Sequence, residues 1–424
     1  MKKSMAFVGL LLATIGAHTR LATATTSIVP TNAWSATGDM TTIRAGAAAT
    51  LLGDGLVLIT GGVDDRAATA SAERFNVNDH GFLPAPAMAS PRANHTSTLL
   101  NDGRVLVAGG ASADGRAISS AELFDPVLNQ WLPTGSLNVP RRGHTATLLP
   151  DGTVLLAGGD DSGIATATLE LFDPASETFT LINGALSVAK TMHAAARLAD
   201  GLVLIAGGFD GTSPVASTDI YDPTTGFTAA APDLSRARAG LTLTTLITGE
   251  VLVVGGADAA GELSSAELFD PKSGAFRPTA DGLGSARRDH LALLMPHNNA
   301  VLIVGGTASG VAVPGAEVFV PWEGPDGAFC SAPVCASGYA GPPPLLAARA
   351  WAAASPLSFP ASETIRSGPT DGALLLAGGS GSRSAELFGF ATIRTDRADY
   401  APGETVTISG SGWQPGETVA LMLV

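Results

Sequence analysis

Two short apolar runs separated by a polar bend recur along the chain. Residues 144–159, HTATLLPDGTVLLAGG, form two such runs around Asp151-Gly152 and end in two glycines. HTATLL predicts a first strand, and the continuous apolar run of TVLLAGG predicts a second strand that is buried on both faces. Asp-Gly favours a two-residue hairpin turn, because both central positions need positive φ. Each such segment therefore predicts a β-hairpin.

The glycine pair that ends this hairpin recurs at a nearly fixed interval. Successive pairs stand 48 to 50 residues apart, except for a last interval of 73 residues. A fixed period in this range predicts a solenoid, a propeller or an array. The seven pairs lie at residues 61–62, 109–110, 158–159, 207–208, 255–256, 305–306 and 378–379.

The rest of each repeat adds two more strands. A segment such as Thr168–Pro174, TLELFDP, predicts a third strand, and a later aromatic residue marks a short fourth. Seven units of four strands, with no helical periodicity, predict an all-β fold, a seven-bladed β-propeller with four antiparallel strands per blade. The aromatic is Phe82, Trp131, Phe179, Phe227 or Phe276.

The last repeat stops after its third strand, Ser384–Phe388, whereas Asn32-Ala33-Trp34 before the first repeat matches a fourth strand. An open sheet edge leaves backbone groups unpaired. We therefore predict that the segment around Trp34 pairs into the seventh blade and closes the ring.

Charged residues also recur in phase, in a chain that is 15% charged. In-phase opposite charges predict partly buried ion pairs within or between blades, in which loss of one partner leaves an uncompensated charge. The alternative is a ring of basic side chains that binds an anionic ligand. The basic residues are Arg44, Arg92, Arg141, Lys190, Arg238, Arg287 and Arg349, and the acidic ones are Glu73, Glu122, Glu170, Asp219, Glu267, Glu317 and Glu386.

A histidine opens four of the repeats, at His95, His144, His193 and His290. Ala47, Leu241 and Ala352 hold the same position in other repeats, so the position tolerates apolar side chains. This substitution pattern predicts a scaffold role. The alternative is a ring of imidazoles near the central channel that binds a metal ion.

The N-terminus has the features of a secretory signal peptide. Lys2 and Lys3 precede an apolar stretch, Ala6–Ala17, that is too short to span a bilayer, and Ala22-Thr23-Ala24 fits a cleavage site. We expect residues 1–24 to be removed and the protein to be secreted or held at the cell surface. No later segment predicts a membrane span.

The net charge of −14 argues against nucleic acid as a partner, because nucleic-acid binding needs basic patches. Cys330 and Cys335 are the only two cysteines. In an exported chain they predict one local disulfide. A metal site is the weaker alternative, since no histidine stands near them.

The glycine pair, the acidic residue about 12 positions later and the final aromatic resemble Kelch repeats of the galactose oxidase type. The resemblance covers residues 30 to 390, and we assign residues 25–390 to the propeller. Residues 391–424 resemble the opening of a bacterial immunoglobulin-like domain, which is incomplete because such a sandwich needs about 100 residues.

Loops between second and third strands lie on the same propeller face as the linkers between blades. Acidic residues cluster in these loops, among them Asp160, Asp161 and Asp210. An insertion between Phe319 and Arg349 adds Trp322, Phe329 and Tyr339, whose rings could stack on a sugar or a protein anchor. We predict that these six residues form a binding surface, and solvated loops or a cap are the alternatives.

We predict a non-catalytic module, expected to be monomeric, that binds a protein or carbohydrate and needs no cofactor. The resemblance also implies two enzyme alternatives, a galactose oxidase-like copper enzyme and a sugar mutarotase or epimerase. The copper site of that family uses two tyrosines and two histidines, and it does not map onto Tyr221, Tyr339 and Tyr400. A structural spacer in a longer surface protein is the third possibility.

Overall fold

The computed structural model describes residues 32–76, 78–295, 299–330, 341–357 and 372–390, together with five short outlying strands. These parts of the chain contain strands and turns but no helix. The described residues therefore include no helix that is long and apolar enough to cross a membrane. The outlying strands are Leu12–Thr14, Thr19–Leu21, Ala24–Thr25, Thr392–Thr395 and Ile408–Ser411. The last two pair antiparallel, and Ala24–Thr25 runs parallel to Ile408–Ser411.

The seven sequence repeats form seven blades of four antiparallel strands, which confirms the predicted propeller. In order, the strands of blades 1 to 3 are Ala48–Leu51, Val57–Thr60, Ala72–Asn76 and Gly81–Ala85; Thr96–Leu99, Val105–Ala108, Ala121–Asp125 and Gln130–Pro133; and Thr145–Leu148, Val154–Ala157, Thr168–Asp173 and Thr178–Ala185. Those of blades 4 and 5 are Ala194–Arg197, Val203–Ala206, Thr218–Asp222 and Phe227–Ala231; and Thr242–Thr245, Val251–Val254, Ala266–Asp270 and Ala275–Pro278. Those of blades 6 and 7 are Leu291–Leu294, Val301–Val304, Ala316–Val320 and Ala328–Cys330; and Ala353–Pro356, Ala373–Ala377, Ala385–Gly389 and, from the N-terminus, Ala33–Ala36.

The first strand of each blade lies innermost, since the first strands of neighbouring blades contact one another all around the ring. The second strands are buried on both faces, as the apolar runs predict, and Val154–Ala157 is at most 1% exposed. Side chains of adjacent blades share each core, as Leu106 and Leu123 of blade 2 do with Leu156 and Phe172 of blade 3. The hydrophobic core therefore lies between the blades.

The strand Ala33–Ala36 lies beside the third strand of blade 7, Ala385–Gly389, and is the fourth strand of that blade. Its flanking amides, those of Asn32 and Thr37, donate hydrogen bonds of 2.7 and 3.1 Å to the carbonyls of Gly389 and Ala385. The Trp34 ring lies 5.0 Å from the Phe388 ring. The chain thus closes the propeller with one strand from its N-terminal end and three from its C-terminal end.

Trp34 and Phe388 repeat a contact between third-strand and fourth-strand rings that recurs in other blades. Phe124 and Trp131, for example, lie 5.1 Å apart. Phe227 begins the fourth strand of blade 4, as predicted, but it does not lie opposite the third-strand ring. The turn has the same length as in blade 2, so Thr228 lies opposite Tyr221, while Phe227 stands one position earlier, opposite Asp222, and is 68% exposed.

The glycine pairs mark where each blade touches the next. Gly109 has a φ of 60°, and a Cβ atom there would lie 2.5 Å from the carbonyl oxygen of Arg141 and 2.8 Å from Cε1 of His144 in the next blade. Positive φ and this close approach both require glycine. The repeat therefore encodes blade packing as well as the turn.

Trp34→Ala should lower the free energy of unfolding by about 3–5 kcal/mol, the usual cost of truncating a buried aromatic. The ring is 8% exposed, and its indole N–H donates to the carbonyl of Pro343 at 3.0 Å. Urea unfolding measures the cost, and hydrogen exchange of Ala385–Gly389 shows where protection is lost.

Trp131→Ala is the matched control, because Trp131 makes the same ring contact in a blade built from one continuous segment. It should cost less and leave the Ala385–Gly389 amides protected. Equal loss of protection in both variants would contradict a specific closing role for Trp34.

Candidate functional site

The in-phase charges form seven ion pairs, each within its own blade. The nitrogen–oxygen distances are 2.6 to 3.0 Å. The basic residues are at most 2% exposed. None of the seven basic side chains is open to solvent or to an anionic ligand, so their geometry favours the scaffold interpretation.

Each arginine pair fastens three segments of one blade, whereas the lysine of blade 4 joins the linker to the third strand and to the residue before it. The Arg141 guanidinium donates to the Glu170 carboxylate at 2.6 Å and to the Gly158 carbonyl at 2.7 Å. The same carboxylate accepts the backbone amides of Asn138 and Val139, in the linker that leads into the blade. Burial lowers the pKa of Arg141, and the Glu170 charge opposes that shift. The linker, the glycine pair and the third strand are therefore held by one buried charge network.

Arg141→Met should lower the free energy of unfolding by about 3–5 kcal/mol, because it leaves the Glu170 carboxylate buried without its partner. The double variant Arg141→Met/Glu170→Gln should recover part of this loss in urea unfolding. Arg116→Met is the control, since the Arg116 side chain is 80% exposed in its pair with Asp114 and should cost less than about 1 kcal/mol. Similar costs for both arginines would contradict the proposed role.

The recurrent histidines lie in the seams between blades. His95, His144, His193 and His290 are 4–7% exposed, and each Nε2 lies 2.8–3.0 Å from a threonine hydroxyl of the preceding blade. Burial, reinforced by neighbouring basic side chains, lowers the pKa of His95, His193 and His290 to about 3. The imidazoles are thus neutral packing groups at neutral pH.

Stability should fall as the pH drops from about 6.5 towards about 3. Unfolded histidines take up protons near pH 6.5, whereas the folded ones, with pKa values near 3, do not. His193→Leu should make the urea midpoint fall less between pH 7.5 and pH 5. Leucine fits this site, because Leu241 fills the equivalent position in blade 5. An unchanged pH dependence would contradict the assignment. Lys190, Arg141 and His144 are the charged or titratable groups that act on His193.

The propeller has two unlike faces. We call the side with the second-to-third-strand loops and the linkers between blades the linker face. The opposite turn face carries the first-to-second and third-to-fourth-strand turns. On the linker face, three of the loops form small ribbons: Asp160–Asp161 with Ile164–Ala165, Ala257–Asp258 with Gly261–Glu262, and Thr307–Ala308 with Val311–Ala312.

The three predicted acidic residues all lie in linker-face loops but differ in their surroundings. Asp160 is 7% exposed and binds the Arg142 side chain at 3.1 Å and the Thr191 hydroxyl at 3.1 Å. Asp210 accepts the amides of Thr212 and Ser213, which lower its pKa. Asp161 alone is exposed. Asp160 and Asp210 therefore shape their loops.

The aromatic residues of the insertion do not form one group in the described structure. Trp322 is 47% exposed in the turn before the fourth strand of blade 6. Antiparallel strands alternate in direction, so this turn lies on the turn face and not with the linkers. The Phe329 ring packs 5.2 Å from Phe319. Cys330 is buried and disulfide-bonded, whereas Cys335 and Tyr339 lie outside the described residues.

A ring of seven residues that the sequence analysis missed surrounds the channel mouth on the linker face. Each stands one residue before the recurrent histidine position and has a φ between 51° and 68°. At six junctions the amide of one donates to the carbonyl of its neighbour at 2.8–3.3 Å. The members are Gly46, Asn94, Gly143, Met192, Gly240, Asp289 and Trp351.

Met192 and Trp351 are exceptional in this ring. Glycine, asparagine and aspartate tolerate positive φ, whereas bulky residues rarely adopt it. Met192 is 39% exposed and Trp351 46% exposed. The sequence shows a bulky residue at a position where other repeats have glycine. It does not show that the backbone at this position has a positive φ.

A polar cleft of about 680 Å³ opens between blades 7 and 1 on the same face. It is lined by Asp39, Thr41, Thr42, Ile43, Asp64, Asp65, Arg66 and residues 381–384. Over the described ranges, no group of three or more histidine, cysteine or acidic side chains is arranged to hold a metal ion.

No protein-family model and no curated protein matches this sequence. A solved structure titled "Structure of YjhT" is similar over 69% of this chain and 99% of that chain, with a TM-score of 0.55 and 15% identity. At this identity the similarity shows a shared propeller fold alone. Because 916 chains of solved structures match, and propellers serve many functions, the fold does not select one function.

Proposed function

We propose that this protein is an exported, Kelch-type propeller that binds a protein or carbohydrate with its linker face and performs no catalysis. The observation that carries the proposal is the difference between the two faces. The linker face combines ribbon loops, a polar cleft and an exposed aromatic residue with positive φ, Trp351. The turn face is built largely from tight hairpin turns.

The scaffold suits such a role because its loops stand on a rigid base. Buried ion pairs hold the linker of each blade and the glycine pair of six blades, and loops supported in this way bind with little loss of conformational freedom. The signal-like residues 1–24 support export, and the repeat pattern supports the Kelch assignment. Tyr339 and the loop after Cys330 remain candidate parts of the binding surface.

Exposed apolar residues on the two faces provide matched variants. Ile164 and Val311 are 78% and 68% exposed in linker-face loops, and Val127 and Leu128 are 90% and 60% exposed in a turn-face turn. Ile164→Arg/Val311→Arg should weaken binding, because it places bulk and charge on the linker face. Val127→Arg/Leu128→Arg should not.

The measurement uses the full chain, expressed with its own N-terminus, recovered from the medium and tested by biolayer interferometry. The probes are immobilised oligosaccharides and surface proteins of the source cells. Binding lost only in the linker-face variant supports the proposal. Binding lost only in the turn-face variant would place the binding site on the turn face. Absence of binding to every probe would favour a structural spacer. Retention of the protein inside the cell would argue against export.

A further inference from the structure

Blade 7 differs from the other blades on the linker face because its second-to-third-strand loop is short. Five residues separate Gly379 from the third strand that begins at Ala385, whereas nine separate Gly62 from the strand that begins at Ala72 in blade 1. The short loop borders the linker of blade 1 and the second-to-third-strand loop of that blade. The cleft between blades 7 and 1 lies at this gap.

The cleft offers hydrogen-bond donors and acceptors in nearly balanced number. Arg383 pairs with Asp39 at 3.3 Å, and its side chain is 60% exposed. Asp64 accepts the amides of Arg66 and Ala67, and these bonds lower its pKa. Two arginines, three aspartates and several hydroxyls therefore line the cleft without a strong excess of either charge.

Trp351 stands beside this cleft at the channel mouth. Its carbonyl accepts the amide of Gly46 at 2.9 Å, three residues after the cleft residue Ile43. The preceding carbonyl, that of Ala350, accepts the amide of Ser380, next to the cleft residue Gly381. Backbone hydrogen bonds thus join the segment that carries Trp351 to both walls of the polar cleft.

The conformation of Trp351 points to a role outside the scaffold. Its φ is 54°, at a position where blades 1, 3 and 5 have glycine. The indole also interacts with the Asp289 carboxylate, whose pKa burial raises and this contact lowers. Residues held in sparsely populated backbone conformations cluster at active sites and ligand clamps, and Trp351 is held in such a conformation.

We infer that Trp351 and the blade 7–blade 1 cleft form a saccharide-binding site, an inference that rests on the proposed binding function. A sugar ring presents an apolar C–H face that stacks on an indole, and hydroxyls that both donate and accept. The cleft volume of about 680 Å³ lies within the range of small-molecule sites, about 300–1,000 Å³.

The charges at the site favour a sugar over a simple ion. A cationic ligand would compete with Arg66 and Arg383 for the carboxylates, and an anionic ligand would meet Asp39, Asp64 and Asp65. A hydroxyl-rich ligand can use both sets of groups at once, because each hydroxyl donates one hydrogen bond and accepts others.

The test compares two site variants with two controls. Trp351→Gly installs the residue of blades 1, 3 and 5, and Arg383→Met removes a guanidinium from the cleft. Met192→Gly makes the same backbone change in blade 4, and Arg116→Met removes an exposed arginine from the equivalent loop of blade 2. Urea midpoints verify folding, and Trp351→Gly should unfold no earlier than Met192→Gly because both relieve positive φ.

The probes are lactose, cellobiose, diacetylchitobiose, trigalacturonate and a tetralysine peptide, titrated against the full chain by calorimetry and tryptophan fluorescence. We expect at least one saccharide to bind and each site variant to weaken it about tenfold or more. The controls should bind like the wild type, and Trp351→Gly should lose the fluorescence response.

Three results would overturn the inference while the proposed function stands. They are saccharide binding that both site variants retain, binding of tetralysine in place of sugars, and no saccharide binding by a chain whose linker face still captures a surface protein. Absence of binding to every sugar, peptide and surface-protein probe would contradict both the inference and the proposed function.

Discussion

The buried ion pair of each blade is the interaction on which the rest of the propeller depends. A lysine or arginine from the linker reaches a third-strand carboxylate at 2.6 to 3.0 Å, and six of the seven also donate to the carbonyl of a glycine pair. Removing a charge from water is costly unless its geometry and hydrogen bonds compensate. Here the carboxylate also binds linker amides, so the same contact that satisfies the charge fixes the path of the chain between blades.

This arrangement separates constant from variable parts of the repeat. The buried charge network holds the linker and the third strand, and a neutral histidine, a leucine or an alanine occupies each seam between blades. Only the last residue of the second-to-third-strand loop contacts the pair, as Ser71 and Ser384 do through their carbonyls, which leaves the rest of each loop free to differ in length and side chains. Blade 7 shows the extent of this freedom, since its loop is shorter while its Arg349–Glu386 pair keeps a distance of 2.7 Å.

Most of the fold could be predicted from the sequence because it depends on periodic signals. The glycine pairs, the Asp-Gly turns and the unpaired Trp34 segment are all local patterns repeated in phase. Phe227 marks its strand correctly but stands one position earlier than the aromatic of the other repeats, and because successive side chains of a strand point to opposite faces, it is exposed where the others pack.

The candidate site was harder to predict. Trp322 was grouped with the linker loop because the sequence does not show on which side of the fourth strand a turn falls. The strain at Trp351 required the backbone conformation of its glycine equivalents. The cleft between blades 7 and 1 comes from residues more than 300 positions apart, Asp39 and Arg383 among them.

The closure of blade 7 has a mechanical consequence. The last strand pair joins Ala33–Ala36 to Ala385–Gly389 antiparallel, with the amide of Asn32 bonded to the carbonyl of Gly389. Both ends of the propeller segment therefore leave the ring at the same end of one strand pair. A pulling force along the polypeptide would load these hydrogen bonds one after another, as in unzipping, and not all together, as in shear. In a surface protein under tension, we expect blade 7 to be the first part to open, an order that optical-tweezers unfolding would reveal.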